Sequence, residues 1–147
     1  MEFEFTWIDS SLVVCRSSGA ASADGFAALL SELAAQPEFG LGVRVLADHS
    51  ELDASGISAG DIERIAEVRA VSARGTGMRT ALVAGSDSPA RYGLARMFEA
   101  YVVSQDDGSI KVFEDFGEGM AWLRALDSPS PSGVPVEAEE AVADPAV

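Results

Sequence analysis

The sequence is short of three things: it has one cysteine, one histidine, and only 10 lysines and arginines against 24 aspartates and glutamates, a net charge of −14 over 147 residues. A lone thiol, Cys15, permits no internal disulfide and fits a reducing cytoplasm. It stands in the apolar run Leu12-Val13-Val14-Cys15, where a buried and unreactive thiol is expected. One Cys and one His do not make a zinc site, so no metal is expected. The shortage of positive charge argues against nucleic acid and anionic membrane surfaces as partners. No stretch approaches about 18 consecutive apolar residues, so no membrane span is expected. The opening MEFEFTW is acidic and alternating, unlike a secretory signal. There is no Gly-x-Ser-x-Gly elbow for a nucleophile and no glycine-rich cradle for a phosphate, although Arg91 stands near a helix start. No cofactor is expected, and no internal repeat is visible.

What is present is patterned as α/β. Phe3, Phe5 and Trp7 alternate with Glu2, Glu4 and Thr6, the period of a half-buried strand. Asp9-Ser10 is turn chemistry, and Leu12 to Arg16 is a second strand, so an antiparallel hairpin is expected. Ser22 is placed to cap a helix with Phe26, Leu29, Leu30 and Leu33 on one face, stopped by Pro37. Phe39 and Leu41 are expected to pack under the connection to a third strand, Val43 to Ala47, which should end at Asp48. Ser58 then opens a second helix as a capping box with Asp61, with Ile57 and Ile62 as the staple. Gly75 is placed to end it in a left-handed conformation. Thr80-Ala81-Leu82-Val83-Ala84 lacks polar alternation, as a central strand covered on both faces would. Ser88-Pro89 opens a third helix whose apolar face is Leu94, Met97, Phe98, Tyr101 and Val102. A turn at Asp107-Gly108 leads to a short strand with Ile110, Val112 and Phe113. Asp115 caps a last helix carrying Phe116, Met120, Leu123 and Leu126, with Trp122 closing the core. Residues 1–126 therefore read as one domain. Residues 127–147, with four of the six prolines and no Lys or Arg, read as a disordered acidic tail.

This order of elements resembles the STAS domain, the fold of the sporulation anti-sigma-factor antagonists. More closely it is similar to the bacterial SpoIIAA-like family, often described together with SEC14-type lipid-binding domains. The pieces carrying the resemblance are Val45-Leu46-Ala47-Asp48, Ala81-Leu82-Val83-Ala84, Tyr92 to Ala100, and Val112-Phe113-Glu114-Asp115 followed by Ala121-Trp122-Leu123. The resemblance implies a mixed five-stranded sheet with strands three to five parallel and four helices. It also implies a non-catalytic module that binds a protein partner, with a homodimer left open. The alternative it implies is a carrier or sensor of a small apolar, lipid-like ligand. A small hydrolase is the remote third reading and would need a nucleophile–base contact.

Candidate functional residues cluster after the third strand. In the antagonists, an Asp-Ser-Ser-Gly stretch carries a regulatory serine directly before the glycine. Here Asp53-Ala54-Ser55-Gly56 makes Ser55 the phosphosite candidate, with Asp48, His49, Asp53 and Gly56 as interaction-loop candidates. The plain reading is a loop in which Gly56 relieves backbone strain, Ser55 satisfies a local amide and His49 is solvated. Asp48, Asp87 and Asp115 follow strand ends, where carboxylates commonly cap loops and helices. An enclosed apolar pocket beneath the third helix would favour the small ligand; a filled core and a flat exposed apolar surface would favour a protein.

Overall fold

A computed structural model describes residues 1–105 and 109–125; the expected turn at Asp107-Gly108, Leu126 and the tail lie outside the described residues. The chain runs β1 (Glu2–Trp7), β2 (Leu12–Ala20), α1 (Ala23–Ala34), β3 (Arg44–Asp53), α2 (Ala59–Ala73), β4 (Arg79–Val83), α3 (Pro89–Gln105), β5 (Ile110–Phe113) and α4 (Phe116–Ala125). The five strands lie in the order in which they are made, β1-β2-β3-β4-β5. β1 pairs antiparallel with β2 through the Asp9 turn, and every later pair is parallel. Asp9 closes that turn with one carboxylate oxygen, which accepts from the backbone N–H of Ser11 at 2.8 Å and of Leu12 at 2.9 Å.

The one-way strand order decides where the helices go. Parallel crossovers keep one hand, so three successive crossovers stepping in one direction should stack their helices on the same face. One face of the sheet accordingly carries α1, α2 and α3. Val13, Cys15 and Val45 pack there with Leu29, Leu33 and Ala73, and Leu82 and Val112 pack with Ala66, Ala95 and Val102. The other face carries α4, where Leu12, Val14, Leu46, Ala81 and Val83 surround the fully buried Leu123. β4 is thus covered on both sides, as its unbroken apolar run requires.

The helix starts follow local chemistry. Ser22 accepts from Gly25 N–H, Ser88 from Arg91 N–H, and Asp115 from Glu118 N–H. At α2 the capping box is complete: Ser58 Oγ accepts from Asp61 N–H at 3.1 Å, and Asp61 accepts from Ser58 N–H at 2.9 Å. The Ser58 amide holds the Asp61 carboxyl below its ordinary range. Ser58→Ala should therefore cost about 1 kcal/mol of stability, read as a lower midpoint in urea with the denaturant slope unchanged. Gly75 ends the helix at φ 77°, as its position predicts.

Four expectations need correction. β2 extends to Ala20, beyond Arg16, and β3 runs on to Asp53, past the polar boundary at Asp48. Each strand is held by the other, so local polarity does not terminate them. On α3, Met97 faces solvent and Ala95 takes the buried position. Leu41 is 85% exposed, so it does not pack under the connection to β3; Phe39 does pack against the core.

Candidate functional site

The extension of β2 and β3 moves the expected site residues. Asp48, His49 and Asp53 are strand residues of β3, and only Ser55 and Gly56 lie in the turn that follows. The ladder pairs Arg16 with Asp48 and Ser18 with Glu51, so Ser17 faces two residues of β3, His49 and Ser50. That is a β-bulge, a device that re-aims side chains.

Asp48 and His49 point to opposite faces. Asp48 turns towards the α4 side, where it pairs with Arg16 at 3.5 Å and accepts from the N–H and hydroxyl of Ser50 at 3.1 and 2.7 Å. The Arg16 guanidinium lies 5.2 Å from the centre of the Phe116 ring. His49 turns inward under α1 and is 8% exposed. The expectation of a solvated loop histidine fails, because the strand continues through it and keeps the alternation of Val45, Ala47 and His49. Its Nδ1 lies 2.5 Å from Ser17 Oγ, and the ring of Phe26 of α1 meets it nearly at right angles, the ring centres 5.2 Å apart. Burial lowers the His49 pKa to about 4, outweighing the nearby charge of Asp48, which pulls it upward. The imidazole is therefore neutral at physiological pH. Sequence reasoning missed Ser17 altogether. The signal was the parity of the strands, since Ser17 continues the Val13, Cys15 face as His49 continues that of Val45 and Ala47.

His49 lines a cavity of about 110 Å³ between the sheet and helices α1 to α3. Cys15, Ala47 and Leu82 form its floor, and Leu29, Ile65 and Phe98 bring one wall from each helix. Burial pushes the Cys15 thiol up to about 12, so it stays protonated. Besides His49, the polar groups on the wall are Arg69, Thr80 and Arg91. Arg69 donates to Thr80 Oγ1 at 3.2 Å and to Ser109 Oγ at 3.5 Å. Arg91 donates to the carbonyls of Leu52 at 3.0 Å and Ala84 at 2.8 Å, and to Asp87 at 2.9 Å. Gly85, at φ 80°, lets the chain turn tightly there; a Cβ would meet Asp87 Oδ1 and Ser50 Cβ at 3.1 Å. Arg91 is thus spent on joining the ends of β3 and β4 to α3.

The turn after β3 is built on Asp53, which accepts from Ser55 N–H at 3.0 Å. The Ser55 hydroxyl, and then its amide, hold the Asp53 carboxyl below its ordinary range. Ser55 is exposed and lies three residues before the α2 cap. A phosphate on Ser55 would remove the hydroxyl from Asp53 and set two anions side by side, so it would act by opening the turn. Gly56 is not in the left-handed region, and a Cβ there would meet the Ala21 carbonyl only at 4.0 Å, so it relieves no strain. Ser55→Asp should leave the melting temperature within about 2 °C. Pull-down from the native host with wild type and Ser55→Asp then tests the switch; identical partner sets would remove it.

Asp48, Asp87 and Asp115 serve separate local partners, and no group of three His, Cys, Asp or Glu side chains is set to hold a metal among the described residues. No described helix is long and apolar enough to cross a membrane. No protein-family model matches the sequence, and no curated protein does. Among solved structures the chain is similar to an uncharacterised protein of the DUF3478 family with a SpoIIAA-like fold, from Shewanella loihica PV-4. Identity is 19%, the match covers 83% of this chain and 92% of that one, and the TM-score is 0.51. At that identity the likeness bears on the fold alone, and the fold of this chain is SpoIIAA-like.

Proposed function

We propose that the protein is a non-catalytic, cytoplasmic binding module of the STAS type, and that it binds a small apolar molecule in the cavity beneath α1, α2 and α3. The cavity is the observation that carries this reading. An engineered apolar cavity of about 150 Å³ takes up benzene, so about 110 Å³ suits a single small ring or a short branched chain. A whole lipid tail would need the three helices to part, which narrows what the SEC14-type relation implies.

Two observations support the non-catalytic part. A Ser17–His49 contact exists, the kind of pair a hydrolase requires, but among the described residues no carboxylate backs the imidazole, since Asp48 lies on the opposite face. An imidazole with a pKa of about 4 is a weak base for activating a serine that is itself only 4% exposed. A protein partner or a homodimer is the second reading. It rests on the resemblance and on the exposed Ser55 turn. The exposed large apolar side chains of the described residues, Ile8, Leu41, Val71, Met97 and Val103, come from four separate segments, and single ones are ordinary.

Cyclopentane is a suitable probe. At about tenfold above its Kd it should raise the melting temperature by about 3–5 °C, the effect of about 1.4 kcal/mol of linkage. Ala47→Leu, which fills the floor, should abolish the rise. No change in melting temperature, together with unmoved methyl resonances of Leu29 and Ile65, would remove the cavity reading.

A further inference from the structure

The cavity is apolar in all but a few places, and one of those places is incomplete. Arg69 and Arg91 donate to protein oxygens, and Thr80 accepts from Arg69. The His49 side chain makes one hydrogen bond among the described residues, between Nδ1 and Ser17 Oγ, and no described polar atom hydrogen-bonds to Nε2. His49 is nine-tenths buried and lines the cavity, so its second ring nitrogen is a polar group awaiting a partner.

Which partner it awaits follows from how the pair shares a hydrogen. Ser17 Oγ has no other hydrogen bond among the described residues than the one to His49. If Nδ1–H donated to Ser17, the buried hydroxyl hydrogen and the Nε2 lone pair would lack partners. If Ser17 donates to Nδ1, the Nε2–H and the Ser17 lone pairs lack them instead. An imidazole nitrogen is a stronger acceptor than a hydroxyl oxygen, and an open strong acceptor is the costlier one to bury, so the second arrangement is preferred. We propose that Ser17 fixes His49 as the Nε2–H tautomer, and that the ligand of the cavity is a small apolar molecule carrying one hydrogen-bond acceptor, such as a ketone or ester carbonyl, which receives that N–H. This rests on the cavity reading above and adds the chemical class of the ligand. Ser17 and His49 share a direction because each continues the inward-facing parity of its strand, Val13-Cys15-Ser17 in β2 and Val45-Ala47-His49 in β3, just before the register shifts.

His49 is the only histidine, so a proton–nitrogen correlation spectrum of the labelled full-length chain shows one imidazole. At pH 7 it should carry its proton on Nε2; a proton on Nδ1 would overturn the proposal without any variant being made. Cyclopentanone and cyclopentane are then titrated into the wild type and His49→Phe. The ratio of their affinities, ketone over hydrocarbon, should be at least tenfold higher in the wild type, and cyclopentanone should move the Nε2–H resonance. Ser17→Ala, a smaller change that frees the tautomer, should lower the ratio several-fold and serves if His49→Phe does not fold. If both probes bind with the same ratio in wild type and variants, the hydrogen-bond inference falls and the cavity reading stands. If neither binds, both fall.

Discussion

Taking the protein from pH 7 to pH 4 should remove about 3 kcal/mol of stability through His49 alone. The unfolded chain binds a proton on this imidazole near its ordinary pKa of 6.5, whereas burial in the folded state delays binding to about 4. Between those values the unfolded state holds more protons, so stability rises with pH and is lost as pH falls. The loss should reach about 2 kcal/mol at pH 5 and about 3 at pH 4, then level off. The carboxyls held below their ordinary range, Asp9, Asp53, Asp61 and Asp87, lose their contribution only from about pH 5 downward, so the larger part of the His49 loss comes first. Urea titrations of wild type and His49→Gln from pH 7 to pH 4 give the result. Their difference isolates the imidazole, and parallel curves would show that His49 is hydrated in the folded state.

Arg91→Leu should cost about 3 kcal/mol, or about 10 °C in melting temperature. The guanidinium donates to the carbonyls of Leu52 and Ala84, at the ends of β3 and β4, and its side chain is only 14% exposed. Leucine replaces its bulk but leaves both carbonyls without donors, at a point where α3 covers them. Asp87, the third partner, is 75% exposed, and water replaces it readily. Asp87→Asn should therefore be nearly neutral in the same melting experiment. Equal effects of the two substitutions would mean that Arg91 works as half of a surface ion pair and not as a clamp on the strand ends.

The fold was largely legible because its signals are local. The Ser58–Asp61 box, the Ser88-Pro89 start and the period of Phe3, Phe5 and Trp7 act within a few residues, so they can be read without knowing what packs against them. The ends of β2 and β3 were not legible, because they are fixed by pairing between residues 32 apart, such as Arg16 with Asp48 and Ser17 with His49. A polar run read as a loop is stabilised as strand once each chain supplies the other's partners. The cavity was hidden for a related reason. In doubly wound sheets ligands gather beyond the strand ends, at the point where the strand order reverses. Among the described strands the order never reverses, so the sheet they form offers no such switch point. Its space lies beneath three helices stacked on one face, where only tertiary packing reveals it. Arg69 is a further case: a charged residue 2% exposed on α2 gave no sign in the sequence of where it would be buried.

The sequential strand order also bears on how the molecule is assembled. Each strand from β2 onward pairs with the strand made just before it, so the template for every addition is already present when the next strand leaves the ribosome. No strand has to wait for a distant partner or insert between two others. Contacts therefore close loops of about one helix in length, and the entropy of closing each is modest and nearly equal. The strand order therefore permits growth from one edge as the chain is made, and the folding rate should lie towards the faster side for mixed α/β domains.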